Sequence, residues 1–207
     1  MKHLEIEFKW EANCPGLFTR VKQAAEQIGA KLGAEEIRQI TDVYLDHPSR
    51  NFEKEKLAFR LRQSEQQWEA TFKTRTEIVR GKAVRREETC PLPGVKNLQQ
   101  ALAWLYHKKQ WKGLVLSGLE TLFKLQNYRR IYPVSFKRMQ AELVFDTCCL
   151  HVCGRRIYFK EIELELKKGS AKTLEEFSGC LQERCDLKPA VVSKVKTAVA
   201  LMHLWGR

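Results

Sequence analysis

The chain has 207 residues, of which 43% are hydrophobic, so it can bury a sizeable core. Its formal net charge of +12 favours an anionic partner, either nucleic acid, a membrane surface or a small phosphorylated substrate. No apolar run is long enough to span a bilayer, and early charged residues interrupt any signal-peptide pattern, so we expect a cytoplasmic protein without a membrane partner. Seven cysteines without a paired Cys-x-x-Cys arrangement favour reduced, structural thiols over a zinc site.

The first ten residues alternate polar and apolar side chains, as a strand does. One face carries Glu5, Glu7 and Lys9, and the other face is apolar. The pattern returns late in the chain with Glu161 and Glu163. Two interpretations are open, an edge strand with a solvated face or a charged face that lines an enclosed site. In the second, the carboxylates would repel one another unless a hard cation lies among them.

Further strands and helices follow in chain order. Strands are predicted at residues 37–45, 58–62, 68–75, 83–90, 122–132 and 140–146. Helices are predicted from Pro15, after a cap at Asn97, from a capping box at Thr173 and Glu176, and from Pro189. No linker divides the chain, which predicts a single domain over residues 1–207.

The charges on these strands recur at period two and segregate by sign. The acidic side chains of the first and late strands are Glu5, Glu7, Asp146, Glu161 and Glu163. The basic side chains of the middle strands are Arg60, Arg62, Lys73 and Arg129. In the strand at 83–90, Arg86 and Glu88 share one face. An antiparallel sheet closed into a barrel would place the charged faces inside, where the two signs compensate, and leave the apolar outside to the helices.

An acidic set that faces a basic set suits a phosphate ligand. Arginine and lysine bind phosphate oxygens, and carboxylates can hold Mg²⁺ or Mn²⁺, which bridges to phosphate. Phosphoryl transfer uses this arrangement. The sequence has no Walker lysine loop or glycine-rich phosphate cradle, so the side chains themselves must hold the phosphates.

Nine segments, in order, resemble the CYTH superfamily, also called triphosphate tunnel metalloenzymes. The Glu5–Lys9 segment resembles the family's Glu-x-Glu-x-Lys signature. The other matching segments are 42–46, 60–62, 71–73, 86–88, 123–132, Asp146, 161–166 and 193–194. Within the superfamily, the chain is most similar to the N-terminal domain of bacterial inorganic triphosphatases.

The resemblance implies a mainly β (α+β) fold, a closed eight-stranded antiparallel β-barrel with covering helices around a tunnel. It also implies hydrolysis of inorganic triphosphate to pyrophosphate and phosphate with Mg²⁺ or Mn²⁺. The metal ligands carried over are Glu5, Glu7, Glu88, Asp146, Glu161 and Glu163. The triphosphate-binding residues are Lys9, Arg60, Arg62, Lys73, Arg129 and Lys194. The catalytic set is Glu5, Glu7, Lys9, Arg60, Arg62 and Lys73, and Arg75, Arg86 and Arg130 are expected at the rim or surface.

Other functions stay open at this point. A thiamine triphosphatase or a class IV-type adenylate cyclase would use the same family's tunnel. A non-catalytic binder of polyphosphate or RNA would also explain the positive charge, although the carboxylates disfavour nucleic acid because they repel it unless they hold metal. We therefore expect a small-molecule triphosphate as the partner and a monomer or a homodimer.

Overall fold

The computed structural model describes residues 2–12, 14–65, 67–74, 77–108, 110–111 and 114–206. The strands are β1 (Lys2–Glu11), β2 (Lys31–Leu32), β3 (Glu36–Asp46), β4 (Ala58–Ser64), β5 (Gln67–Lys73), β6 (Glu77–Val79), β7 (Lys82–Pro91), β8 (Gln110–Trp111), β9 (Leu114–Val115), β10 (Glu120–Phe136), β11 (Met139–Val152) and β12 (Arg155–Lys168). The helices are α1 (Leu17–Gln27), α2 (Asn51–Lys54), α3 (Leu98–Lys108), α4 (Ala171–Cys185) and α5 (Lys194–Trp205).

Eight of these strands close into an antiparallel barrel. Around the barrel the order is β1-β12-β11-β10-β3-β4-β5-β7, and the pairing of β7 with β1 completes the ring. The short strands β2 and β6 extend β10 and β7, and β8 and β9 form a separate hairpin. The predicted closed eight-stranded barrel is confirmed.

Strand register decides which side chains face the interior. Directly opposite residues of an antiparallel pair project from the same face. Glu5 lies opposite Arg85 across β1 and β7, and Lys9 lies opposite Glu163 across β1 and β12. The charged faces therefore meet inside the barrel, as the alternation predicts.

The apolar outer faces are covered by helices. On one side, α1 and α4 bury a cluster that includes Val21, Phe177 and the barrel residue Phe145. On another side, α3 inserts Ala101 into a cluster with Leu61 and its neighbours. Burial of these outer faces supplies the hydrophobic stabilisation that the charged interior cannot provide.

Three strands extend past the barrel wall and hold the last helix. Strands β10, β11 and β12 contain 17, 14 and 14 residues, which is longer than the sequence predicts. Their extended ends form an apolar surface on which α5 packs through the fully buried Ala198, beside Leu125 and Leu150. This packing sets the first turn of α5, with Lys194, against one mouth of the barrel.

The helix α1 begins at Leu17, two residues after the predicted start at Pro15, and the starts of α4 and α5 differ more. Helix α4 begins at Ala171 under a Ser170 cap rather than at a Thr173 capping box. Helix α5 begins at Lys194 under a Ser193 cap, because Pro189 and the residue after it are held in an extended pairing with Trp10 and its neighbours. The tertiary pairing overrides the local preference of proline for a first helical turn. The Asn97 cap is confirmed, since its Oδ1 accepts from the backbone N–H of Gln100 at 2.9 Å.

Among the described residues, no helix combines the length and the apolarity that are needed to cross a bilayer.

Candidate active site

A cavity of about 870 Å³ lies inside the barrel, and all eight barrel strands contribute side chains to it. Helices α2 and α5 line the mouth at one end, where Glu53 and His203 form a 3.0 Å ion pair between them when the histidine is protonated. The charged side chains of the interior form three groups, each with carboxylates and cations in direct contact.

The first group lies where β1 meets β7, around Arg85. Its guanidinium contacts Glu5 at 2.5 Å, Glu7 at 3.2 Å and Glu87 at 2.7 Å. Glu87 also forms an ion pair with Lys73 of β5. Three buried carboxylates are thus held by two cations at the seam that closes the barrel.

The second group lies where β11 meets β12, around Lys194 of α5. The ammonium of Lys194 is 2.7 Å from Asp146, 2.8 Å from Glu161 and 2.9 Å from Glu163. Arg129 forms a bidentate pair with Asp146 at 2.8 and 2.7 Å and reaches Glu163 at 2.7 Å. The planar fork fixes Arg129 more rigidly than a single contact would.

Lys9 connects these two groups. Its ammonium is 3.1 Å from Glu7 and 2.7 Å from Glu163. Burial acts to lower the pKa of Lys9, but the two carboxylates outweigh it and raise that pKa above the usual value. Lys9 therefore stays charged at the centre of the acidic strands.

The third group lies on β3 and β4. Arg62 holds Asp42 with two hydrogen bonds of 2.7 and 2.8 Å, and Arg60 adds a contact at 3.3 Å. Burial acts to raise the pKa of Asp42, but the two guanidiniums outweigh it and hold that pKa below its usual range. The basic part of the tunnel thus contains its own counter-charge.

Two groups have pKa values near neutrality. Burial, together with the neighbouring carboxylate of Glu7, raises the pKa of Glu5 to about 7. Burial, together with the guanidiniums of Arg60 and Arg85, lowers the pKa of Lys73 to about 7. Each can exchange a proton at physiological pH, a property that is common at functional sites.

The structure brings eleven of the twelve predicted site residues together in this interior. They are Glu5, Glu7, Lys9, Arg60, Arg62, Lys73, Arg129, Asp146, Glu161, Glu163 and Lys194. Of the expected rim or surface residues, Arg86 is exposed and Arg130 pairs with Glu35 on the surface. Arg75 lies outside the described residues.

The placement of Glu88 among the metal ligands is wrong. Glu88 lies opposite Phe72 of β5, which packs against the covering cluster on the outer face. Glu87 faces the interior instead, one residue earlier in the strand. A shift of one residue moves a strand side chain to the opposite face, so the two carboxylates exchange positions.

Sequence reasoning also missed Arg85 and Asp42, both of which are central to the ion-pair groups. A signal for Arg85 exists in the sequence. Val84 is a branched apolar residue, so in a barrel with an apolar outside it is expected on the outer face. Arg86 and Glu88 follow at intervals of two residues and therefore share that face. Arg85 and Glu87 are then interior residues. Asp42 alternates with the apolar Val43 and Leu45, which favours an interior position, but its contacts with β4 depend on strand pairing.

The second group fits a divalent metal. Asp146, Glu161 and Glu163 each offer a carboxylate oxygen, and these oxygens all lie within 4.8 Å of one another. An all-oxygen set of this kind suits hard cations such as Mg²⁺ and Mn²⁺. Within the described part of the chain, these three residues form the only cluster of this type.

A closed barrel with paired acidic and basic side chains around an enclosed cavity defines a tunnel suited to phosphate chains. The CYTH domain family model matches residues 3–198, so this chain belongs to the CYTH domain family, which is metal-dependent. An inorganic triphosphatase from Haemophilus influenzae is 30% identical over 161 residues, which cover 77% of this chain and 45% of that protein. The chain thus spans less than half the length of this relative.

Solved structures share the fold. HpAC1 from Hippeastrum, described as an adenylyl cyclase candidate with a dominant triphosphatase activity, has a TM-score of 0.71 at 14% identity, with 95% of both chains covered. An adenylate cyclase candidate from Bacillus halodurans has a TM-score of 0.63 at 17% identity, over 95% of this chain and 97% of that one. The mimivirus capping enzyme triphosphatase has a TM-score of 0.52 at 14% identity, over 88% and 89%. At these identities the likeness shows the triphosphate tunnel fold alone.

The raised pKa of Glu5 predicts a pH-dependent effect of Glu5→Gln on stability without metal. Because the folded-state pKa is about 7 and the ordinary value is 4.5, folding takes up a proton between these pH values. The contribution of Glu5 to the free energy of unfolding therefore falls as the pH rises through this window. Glutamine does not titrate, so the variant should gain about 2–3 kcal/mol relative to the wild type between pH 5 and pH 7.5, at ~1.36 kcal/mol per pKa unit.

Urea unfolding of both proteins in EDTA, in the same buffers, measures this difference. The wild-type profile is the reference, and groups that titrate equally in both proteins cancel. Parallel profiles for the two proteins would show that Glu5 titrates in the folded state as it does in the unfolded chain.

Proposed function

We propose that this chain is a divalent-metal-dependent hydrolase that converts inorganic triphosphate into pyrophosphate and phosphate within the tunnel. One observation carries the proposal: buried and half-buried lysines and arginines from several strands and from α5 converge with carboxylates in a single cavity. The similarity to a protein named inorganic triphosphatase supports this substrate class. A tunnel of about 870 Å³ leaves room for several phosphate groups.

Asp146, Glu161 and Glu163 would hold the metal, with Glu5 and Glu7 on the strand beside them. When bound there, Mg²⁺ or Mn²⁺ would supply Lewis-acid polarisation and help to orient the attacking water. The carboxylate of Asp146 is fully buried, and Arg129 orients it through the bidentate contact.

The cations on the other strands bind and orient the phosphate chain. Arg60, Arg62 and Lys73 project from β4 and β5, and Lys9 projects from β1. In this structure they contact carboxylates, so substrate binding exchanges one set of charge-assisted contacts for another. Arg62 can keep its contact with Asp42, because that contact uses Nε and one terminal nitrogen and leaves the other terminal nitrogen for a phosphate. The barrel wall surrounds the reacting groups with protein of low dielectric constant, which strengthens each electrostatic contact.

Lys73 is a lysine of the tunnel that can exchange a proton near neutral pH. Its Nζ has a pKa of about 7 and lies beside Glu87 and Arg60 in the basic part of the tunnel. A group whose pKa is near the working pH can both accept a proton from an attacking water and return it to a leaving phosphate. We assign this role to Nζ of Lys73.

A second candidate is hydrolysis of an organic triphosphate, such as thiamine triphosphate or ATP. It is favoured by apolar side chains at the mouth beside α5, which are Leu57, Ile78, Val79 and Val199. Val79 is 67% exposed, so it is available to an incoming group. An apolar ring could rest on this mouth while the phosphates occupy the tunnel.

A product assay tests the proposal with tripolyphosphate, ATP and thiamine triphosphate, each with Mg²⁺, with Mn²⁺ and with EDTA. We expect tripolyphosphate to give one phosphate and one pyrophosphate per turnover, only with a divalent cation, and faster than either organic substrate. Faster turnover of an organic triphosphate would select the second candidate, and formation of cyclic AMP would select a cyclase. Tight polyphosphate or RNA binding without turnover would identify a binding module.

Glu7→Gln is expected to lower turnover at limiting metal by at least tenfold while the protein stays folded. Glu7 is almost fully buried beside Lys9 and Arg85, and the change keeps its shape but removes the charge that would attract the metal. The matched control is Glu88→Gln, which removes the same charge from the outer face. Phosphate release against metal concentration measures both variants. Equal metal dependence in the two variants would contradict the role of Glu7.

Arg60→Ala is expected to weaken tripolyphosphate binding by about one to two decades, the value of one charge-assisted contact of ~1.5–3 kcal/mol. The fold should persist because Arg62 still holds Asp42 with two hydrogen bonds. Arg86→Ala is the control, since Arg86 is exposed on the outer face. Calorimetric titration with tripolyphosphate without metal provides the measurement. An unchanged affinity in Arg60→Ala would place the substrate elsewhere.

A further inference from the structure

The ammonium of Lys194 lies at the centre of the three carboxylates that fit a metal. It is within 2.7–2.9 Å of Asp146, Glu161 and Glu163. The oxygens of the three residues lie close enough together to share one cation. In this structure the shared cation is a side chain of the protein itself.

Lys194 also separates two of these carboxylates from the cavity. Asp146 is fully buried and Glu161 is nearly so, and neither contributes to the cavity wall, whereas Lys194 does. A cation that arrives through the cavity therefore meets Lys194 before it can reach Asp146 or Glu161. The side chain has to move for the carboxylates to become metal ligands.

Among the cations of this group, Lys194 is the one that can leave. Arg129 is fixed by its two-pronged contact with Asp146 and by Glu163. Lys9 projects from β1, which is part of the barrel ring, and is also held by Glu7. Lys194 is the first residue of α5, and its ammonium is a point charge on a flexible four-carbon stem. It can turn toward the cavity without any change in the strands.

We propose that Lys194 is a built-in counter-cation that the divalent metal displaces, and that metal binding turns its ammonium into the cavity toward the phosphate chain. The inference rests on the proposed metal-dependent function. It explains how three buried carboxylates stay compensated before the metal binds, since three cations, Lys194, Lys9 and Arg129, match them. Binding of the metal would then strengthen binding of phosphate, because the displaced ammonium of Lys194 becomes available to the phosphate chain.

Direct Mn²⁺ binding, measured by electron paramagnetic resonance of the free ion without substrate, tests the exchange. Lys194→Met removes the competing charge and keeps the length of the stem, so Mn²⁺ should bind about tenfold more tightly than in the wild type. Lys194→Arg keeps the charge and should not show this gain. Lys196→Met is the matched control, because Lys196 is an exposed lysine in the same turn of α5. A merely structural role for Lys194 predicts the opposite sign, namely weaker binding in Lys194→Met.

A second measurement uses the wild type alone and does not depend on any variant being folded. The Lys194 side chain is only 11% exposed, so an amine-acylating reagent should label it slowly without metal. Saturating Mg²⁺ should increase its labelling several-fold, as quantified by mass spectrometry, and leave Lys196 unchanged. Unchanged or slower labelling, or Mn²⁺ affinity in a folded Lys194→Met that does not exceed the wild-type value, would overturn the exchange.

These outcomes are distinguishable from failure of the proposed function. Absence of Mn²⁺ binding in every protein would remove both the metal role and the exchange. Metal binding that is equal in the wild type and Lys194→Met would remove only the exchange. Tripolyphosphate turnover enters neither measurement.

Discussion

Charge compensation inside a closed barrel is the constraint on which the rest of this structure depends. An unpaired buried charge costs several kcal/mol, and this interior contains more than ten charged side chains. The barrel tolerates them because strand register places opposite signs next to one another, as with Glu5 opposite Arg85 and Lys9 opposite Glu163. The tunnel interior is therefore a set of closed ion pairs, and a charged ligand binds there by exchange of partners.

The seam between β1 and β7 fixes that register. The backbone N–H of Lys9 donates to the carbonyl of Gly81 at 2.9 Å, in the turn between β6 and β7. Gly81 has a φ of +81°, and a Cβ there would lie 2.9 Å from Pro189 and 3.0 Å from the carbonyl of Lys9. Only glycine permits both the turn and this close approach. Gly81 thus allows β1, the turn before β7 and the segment that leads into α5 to pack closely together.

The sequence predicts the barrel and most of its interior because most strands have one apolar face. In β1 the residues that alternate with Glu5 and Glu7 are apolar, so only one orientation of the strand buries a core. In β7 both faces carry charges, so Val84 is the local indication of which face lies outside. The choice of Glu87 over Glu88 is made by pairing with β1 and β5, which lie far away in the chain.

Other misses have the same origin in long-range pairing. Asp42 and Asp46 lie on the same face of β3. Asp42 binds arginines of the tunnel, whereas Asp46 accepts hydrogen bonds from backbone N–H groups at the start of α2. The local pattern is identical for both.

Pro189 has the sequence signature of a helix start, but its pairing with Trp10 keeps it extended and moves the start of α5 to Lys194. The helix that completes the acidic group is therefore placed by contacts that no local rule contains.

On the proposed function, α5 contributes to the chemistry of the tunnel through Lys194 and to its selectivity through Val199 at the mouth. On the proposed function, the cations of the strands would contact any phosphate chain that enters, because the barrel fixes their positions. The mouth is different, since it is formed by α5, α2 and the short strand β6, which are attached to the barrel rather than part of its ring. Changes at Val79 or Val199 would alter the space for a group beyond the phosphates and leave the ion pairs intact. On the proposed function, discrimination between inorganic and organic triphosphates would thus be a property of the mouth, and the same barrel would support either.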